Sequence, residues 1–130
     1  MVAPIIVALT DMEIEVILGR AAGCGAIGAE YILLRLPLEI KALWREWLAE
    51  HYPDRAERIM RHIREARSGK EYDSRFHRRM VGEGPYAELI AQRFNLACQR
   101  LHLRRGREEN TLDCGQFRVP LEADGQLSLL

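Results

Sequence analysis

The strongest constraint on the fold is an uninterrupted apolar run at residues 4–9, in which polar and apolar side chains do not alternate. A strand with that pattern is covered on both faces, as in a parallel sheet flanked by helices. We therefore expect a buried β-strand here that begins at residue 2 or 3. Such a strand needs neighbours at its edges as well as helices above and below it.

A helix is predicted directly after this run. Thr10 and Glu13 have the spacing of a capping box, in which the Thr10 hydroxyl accepts from the Glu13 amide and the Glu13 carboxylate reaches back to the Thr10 amide. The helix should start at Asp11 and end near Ala22, because glycines follow it. Its predicted apolar face consists of Ile14, Ile17, Leu18 and Ala21.

A second, mostly apolar run, at residues 29–36, predicts another strand. Because a single helix of about three turns separates the two runs, the connection is a βαβ unit and the strands should be parallel. The predicted fold class is therefore α/β. Two such strands leave unpaired edges, so either a second copy completes the sheet in a homo-oligomer or the chain is the C-terminal part of a longer α/β protein.

The remainder of the chain has the periodicity of helices. One helix should end before Pro53, which suits the first turn of the next helix. That next helix should end at Gly69, a polar loop at residues 70–84 has room for a short helical turn, and Pro85 can open a last helix. The apolar stripe of the first of these helices contains Ile40, Leu43, Trp44, Trp47 and Leu48. The resulting division is two strand-helix units at 1–52, a helical extension at 53–107 and a tail at 108–130.

Composition limits the classes of function. The chain has 130 residues, 48% of them hydrophobic, and a formal net charge of zero, which indicates one domain or part of one and excludes a disordered chain or an overall polycation. Its apolar runs are far shorter than the roughly 20 residues that cross a bilayer, and no basic leader precedes them. We therefore expect no membrane insertion and a cytoplasmic location.

The three cysteines, Cys24, Cys98 and Cys114, are too widely spaced for a disulfide framework or a four-ligand zinc site. Cys98 and His102 are four residues apart, where one helical face would present two metal ligands. A buried cysteine beside a histidine at a helix end is the commoner arrangement. We assign no metal site to this chain.

Basic side chains concentrate in the middle of the sequence, where residues 53–80 hold nine basic and five acidic side chains. In the loop, Arg75, Arg78 and Arg79 surround Phe76, a combination that can grip phosphates and stack on a base. These four residues are the candidate nucleic-acid contacts. The alternative is a loop that is charged for solubility alone.

Longer stretches resemble one enzyme family. They are APIIVALTDME at residues 3–13, YILLRLP at 31–37, RSGK at 67–70, YDSRF at 72–76 and GPYAELI at 84–90, together with Trp47, Leu48, Pro53, Arg93 and Phe94. In these segments the chain resembles the C-terminal region of radical S-adenosylmethionine proteins of the spore-photoproduct-lyase-like branch, also described as DNA repair photolyases. The first two segments correspond to the last two strands of that family's barrel, although Val7 stands where the branch usually has a proline.

The resemblance implies that the chain is the C-terminal part of a partial (β/α) barrel. It also implies a parent enzyme that reduces S-adenosylmethionine at a four-iron–four-sulfur cluster and uses the resulting radical to abstract hydrogen. The cluster motif of the family, Cys-x-x-x-Cys-x-x-Cys, is absent from this sequence. The resemblance therefore implies a chain that binds neither cofactor alone, is inactive alone, and has the remainder of the barrel as its partner.

In barrels of this kind the chemistry lies at the carboxyl ends of the strands. The resemblance then implies that Leu9, Thr10 and Asp11 form a wall of the adenosyl or substrate pocket and that Arg35 contacts an anionic group. The alternative is that Thr10 only caps the following helix and that Arg35 only pairs with an acidic neighbour.

The last five residues suggest a second class of function. They resemble the short peptide with which bacterial replication and repair proteins bind the DNA sliding clamp, in which leucines enter apolar clefts and a glutamine fixes the orientation by hydrogen bonds. The docking residues would be Gln126, Leu127, Leu129 and Leu130. The alternative is a tail that packs on its own domain. The sequence thus favours a barrel-completing portion of a radical S-adenosylmethionine enzyme, with a non-enzymatic interaction module as the alternative.

Overall fold

Nine short helices and strands and one 3-10 turn, Asp11–Glu13, lie in the residues that the structure describes. A computed structural model describes residues 1–75 and 78–105, together with Gly115 and Arg118. In chain order the elements are β1 (Val2–Ile5), α1 (Ile14–Gly23), β2 (Gly28–Ala29), β3 (Tyr31–Leu33), α2 (Ile40–His51), α3 (Pro53–Glu65), α4 (Arg78–Val81), α5 (Pro85–Arg100) and β4 (Arg104–Arg105).

The two apolar runs form parallel strands joined by a helix. β1 pairs with β3, with Val2 opposite Tyr31 and Ile5 opposite Leu33. Since α1 lies between these strands in the chain, the predicted βαβ unit with parallel strands is confirmed. The described part of the chain is therefore a mixed helix and strand structure compatible with the α/β class.

The first strand is shorter than predicted, because the chain turns after Ile5 rather than after Leu9. The Ile6 carbonyl accepts from the amides of Leu9 (3.1 Å) and Thr10 (2.9 Å), which closes the turn. The Thr10 hydroxyl accepts from the Ile6 amide at 3.0 Å. The predicted capping box with Glu13 is therefore wrong, since the Thr10 side chain completes the turn and makes no hydrogen bond to the helix.

A single 3-10 turn, Asp11–Glu13, occupies the place where the first helix was predicted to begin. The α-helical part, α1, starts at Ile14 and ends at Gly23, close to the predicted end at Ala22. Gly25 follows with a φ of 89°, a left-handed conformation that glycine adopts without strain.

The coverage of β1 also differs from the prediction. Val2 and Ile5 are buried, whereas Ala3 and Pro4 are exposed, so β1 is not covered on both faces by the described residues. A register irregularity lies between Val2 and Ile5. Among the described strands, β3 is the only neighbour of β1, so the second edge of β1 is open.

A second pair of parallel strands was not predicted. β2 pairs with β4, with Gly28 opposite Arg104 and Ala29 opposite Arg105, and the Arg104 amide donates to the Ile27 carbonyl at 2.9 Å. Each strand has only two residues, too few for a periodic signal in the sequence. This pairing fixes the end of α5 beside the segment that leads into β3.

The helical half of the chain follows the prediction closely. Pro53 and Pro85 occupy the first positions of α3 and α5, as predicted. The loop at residues 70–84 holds the short helix α4, which confirms the predicted helical turn. No helix among the described residues combines the length and the apolar character that crossing a bilayer requires.

The core lies between the parallel strands, α1, α3 and α5. Phe94 of α5 is fully buried, and its ring lies 4.8 Å from the ring of Tyr31 on β3, measured between centroids. The other fully buried large side chains are Ile5, Ile14, Leu18, Leu36, Leu48, Ile59, Ile90 and Cys98.

Two predicted apolar faces are only partly buried. On α1, Ile14 and Leu18 are buried but Ile17 is exposed. On α2, Leu48 alone is buried, while Ile40, Leu43 and Trp47 are exposed. The apolar side chains of α2 thus lie along one side of the helix, as predicted. Among the described residues, however, no element covers most of them.

We expect substitution of Phe94 by Ala to lower the free energy of unfolding by about 3–5 kcal/mol, because it opens a cavity beneath β3. Leu96→Ala is the matched control, since Leu96 lies on the same helix and is 51% exposed. Urea unfolding followed by circular dichroism measures both. A loss below about 1 kcal/mol for Phe94→Ala would contradict this assignment of the core.

Candidate functional site

Arg35 follows the carboxyl end of β3, where the backbone is fixed on both sides. The Leu34 amide donates to the Ile5 carbonyl at 2.9 Å, which continues the parallel pairing by one residue. Leu36 is fully buried. Arg35 is therefore held between the end of a strand and a core residue, which limits the directions that its side chain can take.

The guanidinium of Arg35 has only neutral partners among the described residues. Its Nη2 donates to the Tyr72 hydroxyl at 3.2 Å, and its Nη1 lies 3.9 Å from the sulfur of Met80. The guanidinium carbon also lies 5.8 Å from the centre of the Tyr72 ring. Nε is buried and finds no acceptor among these residues. No described carboxylate lies within ion-pair distance, so the acidic neighbour that the sequence suggested as an alternative is not found there.

A second guanidinium, that of Arg67, lies behind the first and is 2% exposed. It donates to two backbone carbonyls, that of Arg78 at 2.8 Å and that of Leu34 at 3.1 Å. Burial lowers the pKa of Arg67; the charge of Asp73 opposes this shift and the charge of Arg35 adds to it. Arg67 thus ties the end of β3 to α4 and places a second positive charge close to Arg35.

α3 ends two residues before the buried Arg67. The helix ends at Glu65 rather than at the predicted Gly69, and the Gly69 amide returns to the Arg64 carbonyl at 2.8 Å. Gly69 has a φ of 82°, so it still provides the left-handed residue that closes the helix end.

Gly82 allows the loop at residues 70–84 to pack against the end of β3. Its φ is 73°, and a Cβ at this position would lie 3.0 Å from both the Ala66 carbonyl oxygen and a methyl group of Leu33. The next residue, Glu83, donates its amide to the same Ala66 carbonyl at 3.1 Å. A side chain at position 82 would therefore push the loop off the strand end.

The other three residues predicted to line the pocket make structural contacts within the fold. Leu9 packs on the core and Thr10 closes the turn after β1. Asp11 is buried; its carboxylate accepts from the Tyr86 hydroxyl at 3.1 Å and from Arg93 at 3.3 Å, and its carbonyl accepts from Arg93 at 3.0 Å. None of these contacts is with Arg35, so the structure does not join the four predicted residues into one site.

The contact of Asp11 with α5 belongs to an interhelical cluster. Arg93 also binds Glu15 on α1 at 2.8 Å, which lowers the pKa of Glu15 and raises that of Arg93. Burial, with the negative charge of Asp11, raises the pKa of Tyr86. Through these ion pairs and hydrogen bonds, Asp11 and Glu15 connect the start of α1 to Tyr86 and Arg93 on α5, which is a structural role.

The arginines of the predicted nucleic-acid loop are paired with acidic side chains. Arg75 binds the Asp73 carboxylate through Nε and Nη2, and Arg78 binds Glu83. Arg75 also lies 3.5 Å from Glu83. The positive charges of Arg75 and Arg78 are thus compensated within the loop.

The structure describes only some of the remaining residues of the predicted loop and tail sites. Arg79 is described and partly buried on α4. Phe76 and the docking residues Gln126, Leu127, Leu129 and Leu130 lie outside the described residues. The predictions that concern them stay predictions.

The described cysteines do not fit an iron–sulfur cluster. Cys98 is buried in α5, where burial raises the pKa of its thiol, and Cys24 is exposed at the end of α1. His102 has a left-handed backbone beyond the end of α5, so it does not continue the helical face of Cys98. The described residues contain no group of three or more His, Cys, Asp or Glu side chains that could hold a metal ion.

Comparisons with protein-family models, with curated proteins and with solved structures find no match for this chain.

The site that emerges is a pair of guanidinium groups at the carboxyl end of β3, with Tyr72 and Met80 as their neighbours. Of the residues at this site, the sequence predicts only Arg35 as a site residue, and the roles of Arg67, Tyr72, Met80 and Gly82 are not predicted. Arg67 and Tyr72 lie in segments that carry the family resemblance, which was the only available signal. A guanidinium without a carboxylate partner can bind an anion, because its unsatisfied N–H groups suit phosphate or carboxylate oxygens.

We expect acid to destabilise the fold partly through Asp73. The Arg75 guanidinium, which donates to this carboxylate, holds the pKa of Asp73 well below its usual range. A carboxylate with a lowered pKa in the folded state contributes stability above its unfolded pKa of about 4, and this contribution disappears as the pH falls below that value. Urea unfolding between about pH 5 and pH 2 should therefore give a shallower pH dependence for Asp73→Asn than for the natural chain.

Asp54→Asn is the control for this measurement, since it removes the same charge at an exposed position on α3. If Asp73→Asn and Asp54→Asn change the pH dependence of the free energy of unfolding equally, the ion pair between Asp73 and Arg75 does not contribute to acid sensitivity as described.

Proposed function

We propose that this chain is the C-terminal, barrel-completing portion of a radical S-adenosylmethionine enzyme and that it is inactive on its own. The observation that carries the proposal is the open edge of β1. This strand pairs in parallel with β3, its side chains Val2 and Ile5 are buried, and no second described strand lies beside it. A parallel strand with one neighbour at most is an edge, and a barrel has no edges.

Exposed apolar side chains near this unit support the same proposal. On the 3-10 turn and α1, Met12 is 68% exposed, Val16 57% and Ile17 41%. Large apolar groups exposed together on one element mark a surface that another polypeptide covers. In the proposed enzyme that polypeptide is the portion of the barrel that carries the cysteine motif.

The cluster and S-adenosylmethionine would be held by that other portion, since the Cys-x-x-x-Cys-x-x-Cys motif is absent from this sequence. The contribution of this chain to the pocket would be Arg35. It follows β3 at the carboxyl end of the strands, where (β/α) barrels place their chemistry. Its unpaired Nε and its neutral partners Tyr72 and Met80 leave its charge available for an anionic group of the substrate or cofactor.

The alternative from the sequence, an interaction module that docks on the sliding clamp or on nucleic acid, has no described contact in its favour. Arg75 and Arg78 are occupied by Asp73 and Glu83.

Co-expression with a cluster-bearing partner tests the proposal. The partner is a polypeptide of the same branch that carries the Cys-x-x-x-Cys-x-x-Cys motif and lacks its last two barrel strands. We expect the two polypeptides to purify together in equal amounts. We also expect reductant and S-adenosylmethionine to yield 5′-deoxyadenosine with the pair but with neither polypeptide alone. A chain that forms a stable dimer and does not bind the partner would contradict the proposal.

Within that complex, Arg35→Met should leave association unchanged and raise the KM for the anionic reactant by roughly tenfold to a hundredfold. This is the effect expected from the loss of a hydrogen bond to a charged group, about 1.5–3 kcal/mol. Arg20→Met is the matched control, because Arg20 is an exposed arginine on α1. Equal KM values for the two variants would mean that Arg35 does not contact the anionic reactant.

A further inference from the structure

One face of α2 is apolar and uncovered. Ile40, Leu43 and Trp47 are 41%, 58% and 37% exposed. At about 100° per residue these three side chains fall within an arc of about 60°, so they form one strip along roughly two turns of helix. We call Ile40, Leu43 and Trp47 the α2 strip.

The strip is a rigid surface because its largest side chain is held by its neighbours. The Trp47 ring is stacked between the rings of Trp44, at 5.1 Å, and His51, at 4.9 Å. The Tyr52 ring lies 5.4 Å from the same indole. Trp44 and Tyr52 in turn pack against the core. A ligand on this face would therefore meet an ordered aromatic platform.

The charge beside the strip is negative. Glu39, Glu46 and Glu50 fall in an adjacent arc of about 40° on one side of the α2 strip. All three are exposed, and none has a hydrogen bond from its side chain or an ion pair with another described residue. The lysine and the arginine of α2, Lys41 and Arg45, fall more than about 90° from the strip, and Arg45 is occupied by Glu71.

We propose that the α2 strip and its acidic border bind a basic amphipathic helix of another protein. The apolar side of such a helix would cover Ile40, Leu43 and Trp47, and its lysines or arginines would meet Glu39, Glu46 and Glu50. Helices that lay an apolar face on a complementary surface use anchors at this i, i+3, i+7 spacing. Because like charges across an interface oppose binding, the negatively charged border favours a positively charged partner. The inference stands apart from the proposed enzyme, because it uses no residue of the Arg35 site.

The tryptophan fluorescence of the chain can report binding at the α2 strip. Both of its tryptophans, Trp44 and Trp47, lie on α2, so all tryptophan emission comes from this helix, and Trp47 is part of the α2 strip. The full chain is titrated with a fluorescently labelled helical peptide of leucine and lysine that contains no tryptophan, and with a leucine and glutamate peptide of the same pattern. We expect the lysine peptide to bind at least tenfold more tightly and to shift the tryptophan emission to shorter wavelength.

Variants separate this surface from general charge attraction. Glu46→Lys with Glu50→Lys should weaken binding of the lysine peptide at least tenfold, and Leu43→Asp should weaken it by a similar factor. The matched control is Glu13→Lys with Glu88→Lys, which makes the same charge change at exposed positions outside α2. Circular dichroism verifies that each variant is folded.

Three results would overturn the proposal. They are equal affinity for the two peptides, equal effects of the α2 variants and the control pair, and a shift of tryptophan emission with increasing chain concentration in the absence of peptide. The last result would mean that a second copy covers the strip.

Discussion

The parallel pairing of β1 with β3 determines how the neighbouring elements are arranged. Parallel strands need a crossover, which α1 supplies, and they bring their carboxyl ends to one edge of the sheet. That edge is where Arg35 leaves β3 and where α4 and Gly82 pack. The same pairing leaves the second edge of β1 open in the described chain. The position of Arg35 and the open edge of β1 in the described residues therefore both follow from this strand pairing.

Two neighbouring arginines at the strand end have different environments. Arg67 is buried and satisfied by the carbonyls of Leu34 and Arg78, which makes it a structural tie between β3 and α4. Arg35 has no carboxylate partner among the described residues, and its neighbours are a hydroxyl and a thioether. In the proposed enzyme, an anionic group of the substrate or cofactor would compensate the partly desolvated charge of Arg35.

The helices and the direction of the strands could be predicted from the sequence, because periodicity and proline positions are local signals. The length of β1 could not, since the Thr10 hydroxyl had two local partners available, the amides of Ile6 and Glu13, and the pattern does not decide between them. The burial of Arg67 could not be predicted either, because its acceptors are remote in the chain. The apolar stripe of α2 was evident from spacing alone, but spacing does not tell whether another element covers it.

Hydrogen exchange at residues 1–10 measures whether β1 is an edge strand that a second polypeptide extends. In the chain alone, we expect the Val2 amide, which donates to the Glu30 carbonyl at 2.8 Å, to exchange more slowly than the amides on the open edge. Binding of the cluster-bearing partner should slow exchange across this segment at least tenfold. Exchange that stays the same in a complex known to have formed would mean that the partner does not extend the sheet at β1.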